Sequence, residues 1–197
     1  MVRELWVRAA LSTCPRRSCG PRTSPRRKPP GIHSSSEHGD DTVRAFDVST
    51  GDLDWSFQTE PGIGAAPTVA DGRLFTVTED ERLYAIDWES GETLWQFDMS
   101  FTSRPRRNFL RDRAGRSGPT VVGGTLFVGS FDGVCYAIDT RSGEEKYRFV
   151  LDRSKTEWGP EPYDLSRSSP IVVDGTLYTG GTGGGIYAFD TPVAGSS

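Results

Sequence analysis

The sequence predicts an all-β fold of small four-stranded antiparallel sheets stacked face to face, and three observations predict it. First, one string recurs. An alanine followed two residues later by an acid appears at Ala45 and Asp47, Ala85 and Asp87, Ala137 and Asp139, and Ala188 and Asp190. Second, the spacing around it is rigid. A proline precedes each of the last three alanines by 18 residues (Pro67, Pro119, Pro170), and an aromatic follows each of the first three by ten (Trp55, Trp95, Tyr147). Third, the intervening segments are short, rich in β-branched and aromatic residues, and bounded by turn pairs, with no helical periodicity to compete. A fixed period of this length is the mark of a repeat architecture. Four-stranded sheets repeated in this way are the blades of a β-propeller.

Each element follows from its residues. "PTVADGRLFTV" and "PIVVDGTLYTG" read as two strands around a tight Asp-Gly turn, at Asp71-Gly72 and Asp174-Gly175, with Gly123-Gly124 as the equivalent pair between them. "RLYAID", "VCYAID" and "IYAFD" form a third strand. It is apolar on both alternations, with Leu83 and Ala85 on one side and Tyr84 and Ile86 on the other, so both faces of the sheet are expected to be covered. "TLWQFDM" and "EKYRFVL" form a fourth. Between strands three and four the acid can hold the turn backbone, and Gly51, Gly91 and Gly143 supply a positive-φ residue. The small alanine leaves room and the Trp is expected to fill it, lying across the gap between neighbouring blades.

The blade count is incomplete. The first blade supplies only strands three and four, at Val43 to Gln58; two blades are complete, at about residues 64–99 and 117–151; the last has strands one to three and then "TPVAGSS". Closed propellers have about four to eight blades. The reading is therefore a propeller arc over residues 37–192, a C-terminal tail at 193–197, and open blade faces. Those faces invite a propeller-completing chain or a homo-oligomer.

Charge separates the N-terminal segment from the rest. Residues 1–36 hold eight basic residues and one acid, while the remaining 161 hold 15 basic and 26 acidic ones. The Arg-Pro-rich segment cannot bury a core and is expected to be disordered, with a degenerate signal segment or a mis-called start as alternatives. "LSTC" at Leu11 to Cys14 faintly resembles a lipoprotein cleavage box, so membrane attachment is expected only through Cys14. The acidic body argues against nucleic acid as a partner. Cys14, Cys19 and Cys135 make no disulfide framework, and Cys135 reads as a small core residue. His33 and His38 are the only histidines, and metal binding is not expected.

The pattern Ala-x-Asp-x-x-Thr/Ser-Gly-x-x-x-Trp resembles the tryptophan-docking motif of the pyrroloquinoline-quinone (PQQ)-like propeller repeat family. "SSPIVVDGTLYTGGTGGGIYAFD", Ser168 to Asp190, is similar to that family's strands one to three. The resemblance implies that the motif holds blades together. It does not imply a quinone, because many relatives carry these repeats with no cofactor. The family's dehydrogenases use PQQ, a divalent cation, a catalytic Asp and commonly a vicinal cysteine pair. No two cysteines are adjacent here, so no catalytic, cofactor-binding or metal-ligating residue is carried over.

Variation is confined to the connections from strand four to the next blade. Trp55 to Pro67 is 12 residues, Trp95 to Pro119 is 24, and Tyr147 to Pro170 is 23. Long loops at one place on a rigid scaffold are where binding usually lives. The first long loop carries Arg104, Arg106, Arg107, Arg111, Arg113 and Arg116; the second carries Trp158 and Tyr163. Either the two loops pair with each other or lie solvated, or they form a surface for an anionic ligand or a protein, with Arg forks and an aromatic anchor. The functional expectation is a non-catalytic module that binds or scaffolds a protein in an extracytoplasmic setting. The alternatives are a fragment of a PQQ-dependent dehydrogenase and a truncated gene product with no independent function.

Overall fold

The computed structural model describes residues 31–35, 41–60, 62–99, 117–151, 165, 167–181 and 185–192. These form four antiparallel sheets, each running in sequence order. The first holds β1 (Gly31–Ser35), β2 (Thr42–Phe46) and β3 (Leu53–Gln58). The second holds β4 (Thr68–Ala70), β5 (Arg73–Val77), β6 (Arg82–Asp87) and β7 (Thr93–Asp98). The third holds β8 (Thr120–Val122), β9 (Thr125–Gly129), β10 (Val134–Asp139) and β11 (Glu145–Val150). The fourth holds β12 (Ile171–Val173), β13 (Thr176–Gly180) and β14 (Ile186–Asp190). This is the all-β, partial propeller that the repeat predicts.

One expectation is corrected. Residues 31–35 were assigned to the disordered segment, and the first blade to two strands. Instead β1 pairs with β2 along its whole length, from Gly31 opposite Phe46 to Ser35 opposite Thr42. The strand was hidden for two reasons. "GIHSS" has a single large apolar residue, and main-chain pairing does not depend on composition. It is also out of period: the residue opposite the motif alanine lies 13 positions before it here (Ile32, Ala45) and ten before it elsewhere (Phe75, Ala85).

Turn chemistry sets the hairpins. Asp71 and Gly72, Gly123 and Gly124, and Asp174 and Gly175 all have positive φ, the requirement of the two-residue turn that matches strand twist. The stacking between sheets is apolar. Val43, Ile63, Leu74 and Ile86 fill the space between the first and second sheets. Phe75, Leu83, Val128, Tyr136 and their neighbours fill the next, and Phe127, Cys135, Leu165 and Leu177 the last. Aromatic pairs cross each gap: Phe57 meets Tyr84 and Phe97 meets Tyr136 edge-on, both at 5.6 Å, and Phe149 lies tilted on Phe189 at 4.9 Å. Near strand one a hydroxyl spans each of the last two gaps, Thr68 donating to the Pro119 carbonyl and Thr120 to that of Pro170.

Burial along the third strand follows position in the arc. Leu83, Cys135, Ala85 and Ala137 are fully buried by the sheet that follows. Their counterpart Ile186 in β14 is 83% exposed, and Ala188 is exposed as well. Tyr178, the counterpart of buried Phe75 and Phe127, is also exposed. The expectation of an open blade face thus has a definite location.

Candidate functional site

The most repeated polar construction is the turn between strands three and four. Asp47 accepts hydrogen bonds from the amides of Ser49 and Thr50 at 2.7 and 3.1 Å. Asp87 does the same for Glu89 and Ser90 at 3.0 and 2.9 Å, and Asp139 for Arg141 and Ser142 at 2.9 and 3.1 Å. The amides of Gly51, Gly91 and Gly143 then donate back to the carbonyls of those same aspartates. This Asx turn places each glycine at φ between 74° and 78° and leaves its Cα face bare.

That bare face receives the indole of the preceding sheet. A Cβ built on Gly91 would lie 2.8 Å from the Trp55 ring, and one on Gly143 would lie 2.6 Å from the Trp95 ring. The indole nitrogens complete the dock: Trp55 Nε1 donates to the Trp88 carbonyl at 3.0 Å and Trp95 Nε1 to that of Thr140 at 3.1 Å. The small motif residue opposite each Trp in its own sheet is Ala45 or Ala85; the close approach itself is made by the glycine of the next sheet. Tyr147 pairs with Ala137 and packs against Phe127 and Phe149, but its hydroxyl is buried with no hydrogen-bond partner among the described residues.

Asp139 has one further partner. Lys146 Nζ lies 3.0 Å from Asp139 Oδ2. That bond, with the Ser142 and Arg141 amides, holds the Asp139 carboxyl down to about 2.

The connections from strand four to the next sheet leave beside the loops joining strands two and three. Met99 N donates to the Glu81 carbonyl at 3.1 Å, Leu151 N to Gly133 at 3.1 Å, and Leu165 N to Ser130 at 3.0 Å. Met99, Ser117, Leu151 and Leu165 are all buried, so both long connections are rooted in the core at each end. Arg104, Arg106, Arg107, Arg111, Arg113, Arg116, Trp158 and Tyr163 lie outside the described residues.

Beside these roots sits a polar cluster that the repeat pattern did not reveal. The Glu81 carboxylate accepts hydrogen bonds from the Ser130 hydroxyl at 3.2 Å and from the Phe131 amide, tying the second sheet to the third. Tyr136 donates to the Met99 carbonyl at 2.6 Å, and burial, then the Asp132 carboxylate, push its phenol well up. Arg148 grips Glu145 with two bonds of 2.6 and 2.7 Å, and its guanidinium lies 5.5 Å from the Tyr136 ring centre. One signal for Glu81 was present: it has a positive φ of 62° at the position where the next repeat has Gly133. A non-glycine residue held there marks a side chain in use.

Cys135 is buried between the third and fourth sheets, and burial pushes its thiol up to about 12. Such a thiol is neutral and inert, and it does not fit the role of a cysteine lying against a quinone. Among the described residues no three His, Cys, Asp or Glu side chains are grouped to hold a metal ion. Among them, too, no helix is long and apolar enough to cross a membrane.

A family model described as outer membrane protein assembly factor BamB matches residues 39–192. The 1-butanol dehydrogenase (cytochrome c) of Thauera butanivorans is 33% identical over 150 residues, covering 72% of this chain and 21% of that protein. BamB of Xanthomonas campestris pv. campestris is 29% identical over 87 residues, 44% of this chain and 21% of its own length. Of solved structures, BamB from Moraxella catarrhalis superposes with a TM-score of 0.65 at 20% identity, covering 86% of this chain and 45% of that one. At that identity the likeness is one of fold. The chain thus spans about a fifth of the length of these two curated relatives. Matched over most of its length and built on the motif described above, the chain belongs to the PQQ-like β-propeller repeat family.

Proposed function

We propose that this chain is a non-catalytic propeller module that binds or scaffolds a protein partner outside the cytoplasm. The observation that carries the reading is that the repeated polar residues are consumed by the architecture. Asp47, Asp87 and Asp139 hold their own turns, and the Trp55 and Trp95 nitrogens are bonded to the next sheet. The relatives support the setting, since one of them is an outer membrane protein assembly factor. The Arg104–Arg116 connection, with Trp158 and Tyr163 on the other long connection, is the proposed contact surface. Its guanidinium forks suit carboxylates of an acidic protein segment.

The test is cross-linking of the full chain in its native host, identification of the partner, and titration of that purified partner. Saturable binding that weakens at least about tenfold when all six arginines become alanine is the expected result. Unchanged affinity in that variant refutes the surface. A second reading, a dehydrogenase fragment, is favoured by the 33% identity to a butanol dehydrogenase. PQQ with calcium giving a bound chromophore and dye-linked alcohol oxidation would establish it in place of the first.

A further inference from the structure

The two complete sheets treat one place differently. In the third sheet Lys146 immediately precedes the strand-four aromatic. Its Nζ lies 3.0 Å from Asp139 Oδ2 and donates to the Thr125 hydroxyl at 3.0 Å and the Gly124 carbonyl at 3.5 Å. In the second sheet that position is Leu94, which is 46% exposed. The rest of the frame is kept. Asp87 lies opposite Arg73 as Asp139 lies opposite Thr125. The Trp88 amide donates to the Gly72 carbonyl as that of Thr140 does to Gly124. The counterparts of all four residues of the ammonium site, Gly72, Arg73, Asp87 and Leu94, line a cavity of about 270 Å³. Asp87 accepts the Glu89 and Ser90 amides and the Ser90 hydroxyl on Oδ1. Among the described residues no hydrogen bond reaches its Oδ2, the oxygen that Lys146 takes on Asp139.

We propose that this cavity, between the Asp71–Arg73 and Asp87–Glu89 turns, is a binding site for the primary ammonium of a lysine side chain presented by a protein partner. Lys146 is the template: a point charge bonded to a carboxylate, with its alkyl stem along the outer strand. Trp88 and Leu94 on the cavity wall suit such a stem and, at the indole, its charge. Charge favours a cation. Asp71, Asp87 and Glu89 stand against one guanidinium, Arg73, whose Nη1 already donates to the Asp71 carbonyl at 3.1 Å. The source of the lysine rests on the partner proposed above; the ammonium site does not. It lies at the end of the sheets opposite the roots of the long connections, which leave beside the loops between strands two and three. Binding of an amine here and binding of a partner through the Arg-rich connection can therefore fail separately.

The probe is Nα-acetyl-lysine N-methylamide, titrated at constant ionic strength into the ¹⁵N-labelled full chain. Its Nε-acetyl counterpart, which keeps the stem and loses the charge, is the control. The blocked protein is Leu94→Lys, which supplies the ammonium from within as Lys146 does and changes a side chain already half in water. The expected result is saturable shifts of the Gly72, Trp88 and Glu89 amides and the Trp88 indole N–H at millimolar probe. Affinity should fall at least about tenfold for the Nε-acetyl compound and for the Leu94→Lys chain. No saturable shifts at these positions overturns the proposal, as do equal shifts from both compounds or an unchanged response in Leu94→Lys. Shifts that appear only when Lys28 and Lys155 are both changed to Ala give the cavity to this chain's own lysines and overturn the partner assignment. n-Butylammonium binding about tenfold tighter than the capped lysine overturns it too, by giving the site to a free amine.

Discussion

Trp95 gives the sharpest test of what holds the blades together. Its ring lies on Gly143, tilts against Phe75 at a centroid distance of 5.8 Å, and its nitrogen bonds the Thr140 carbonyl at 3.1 Å. Replacing a well-packed Trp by Ala costs about 3–5 kcal/mol. Trp95 is only partly buried, which places the expectation at the lower end, about 3 kcal/mol. Trp95→Phe separates the terms: it keeps the ring on the glycine and loses the hydrogen bond, worth about 1 kcal/mol. The assay is urea unfolding followed by circular dichroism, with midpoints compared at a common slope. The reasoning fails if Trp95→Ala costs under about 1 kcal/mol, or if Trp95→Phe costs as much as Trp95→Ala.

Three other outcomes follow from the same geometry. Gly143→Ala puts a Cβ 2.6 Å from the Trp95 ring at φ of 74° and should destabilise by about 2–4 kcal/mol in the same assay, the sum of backbone strain and overpacking. With Cys14 and Cys19 changed to serine, Cys135 should be unreactive toward a thiol reagent in the native chain and fully reactive in denaturant. Its raised thiol pKa means that it favours folding below the ordinary thiol value and loses that contribution as pH rises toward about 12. Asp139 has a lowered carboxyl pKa, so its contribution is present above about pH 4 and is lost as pH falls toward about 2. Lys146→Ala should flatten that acid limb. The pair is about a third exposed, so the effect in acid titration of the unfolding midpoint should stay under about 1 kcal/mol.

The sequence was most legible where one residue type had one structural use. The Ala-x-Asp spacing located every third strand, because the acid and glycine are both needed to reverse the chain. The proline spacing located strand one in three sheets. β1 was missed because nothing in "GIHSS" advertises a strand and its spacing from β2 breaks the period. Glu81 was missed because its role is not repeated: it clamps Ser130 and Phe131 once, between the second and third sheets only. Which carbonyl an indole would reach was also invisible, since Trp55 and Trp88 lie 33 residues apart and meet only when sheets stack. The candidate surface at Arg104–Arg116 rests on composition alone, whereas its buried roots at Met99 and Ser117 are structural.

The central claim is that Trp55 and Trp95 each dock on the glycine of the following sheet. Ring-current shifts read this directly, because a Trp ring held flat on a glycine moves that glycine's Hα resonances strongly upfield. The account predicts upfield Hα signals at Gly91 and Gly143 and an ordinary one at Gly51. Trp55→Leu should return only Gly91 to normal, and Trp95→Leu only Gly143. Ordinary shifts at Gly91 and Gly143 in the unaltered chain, or the reversed pairing in the variants, would contradict it.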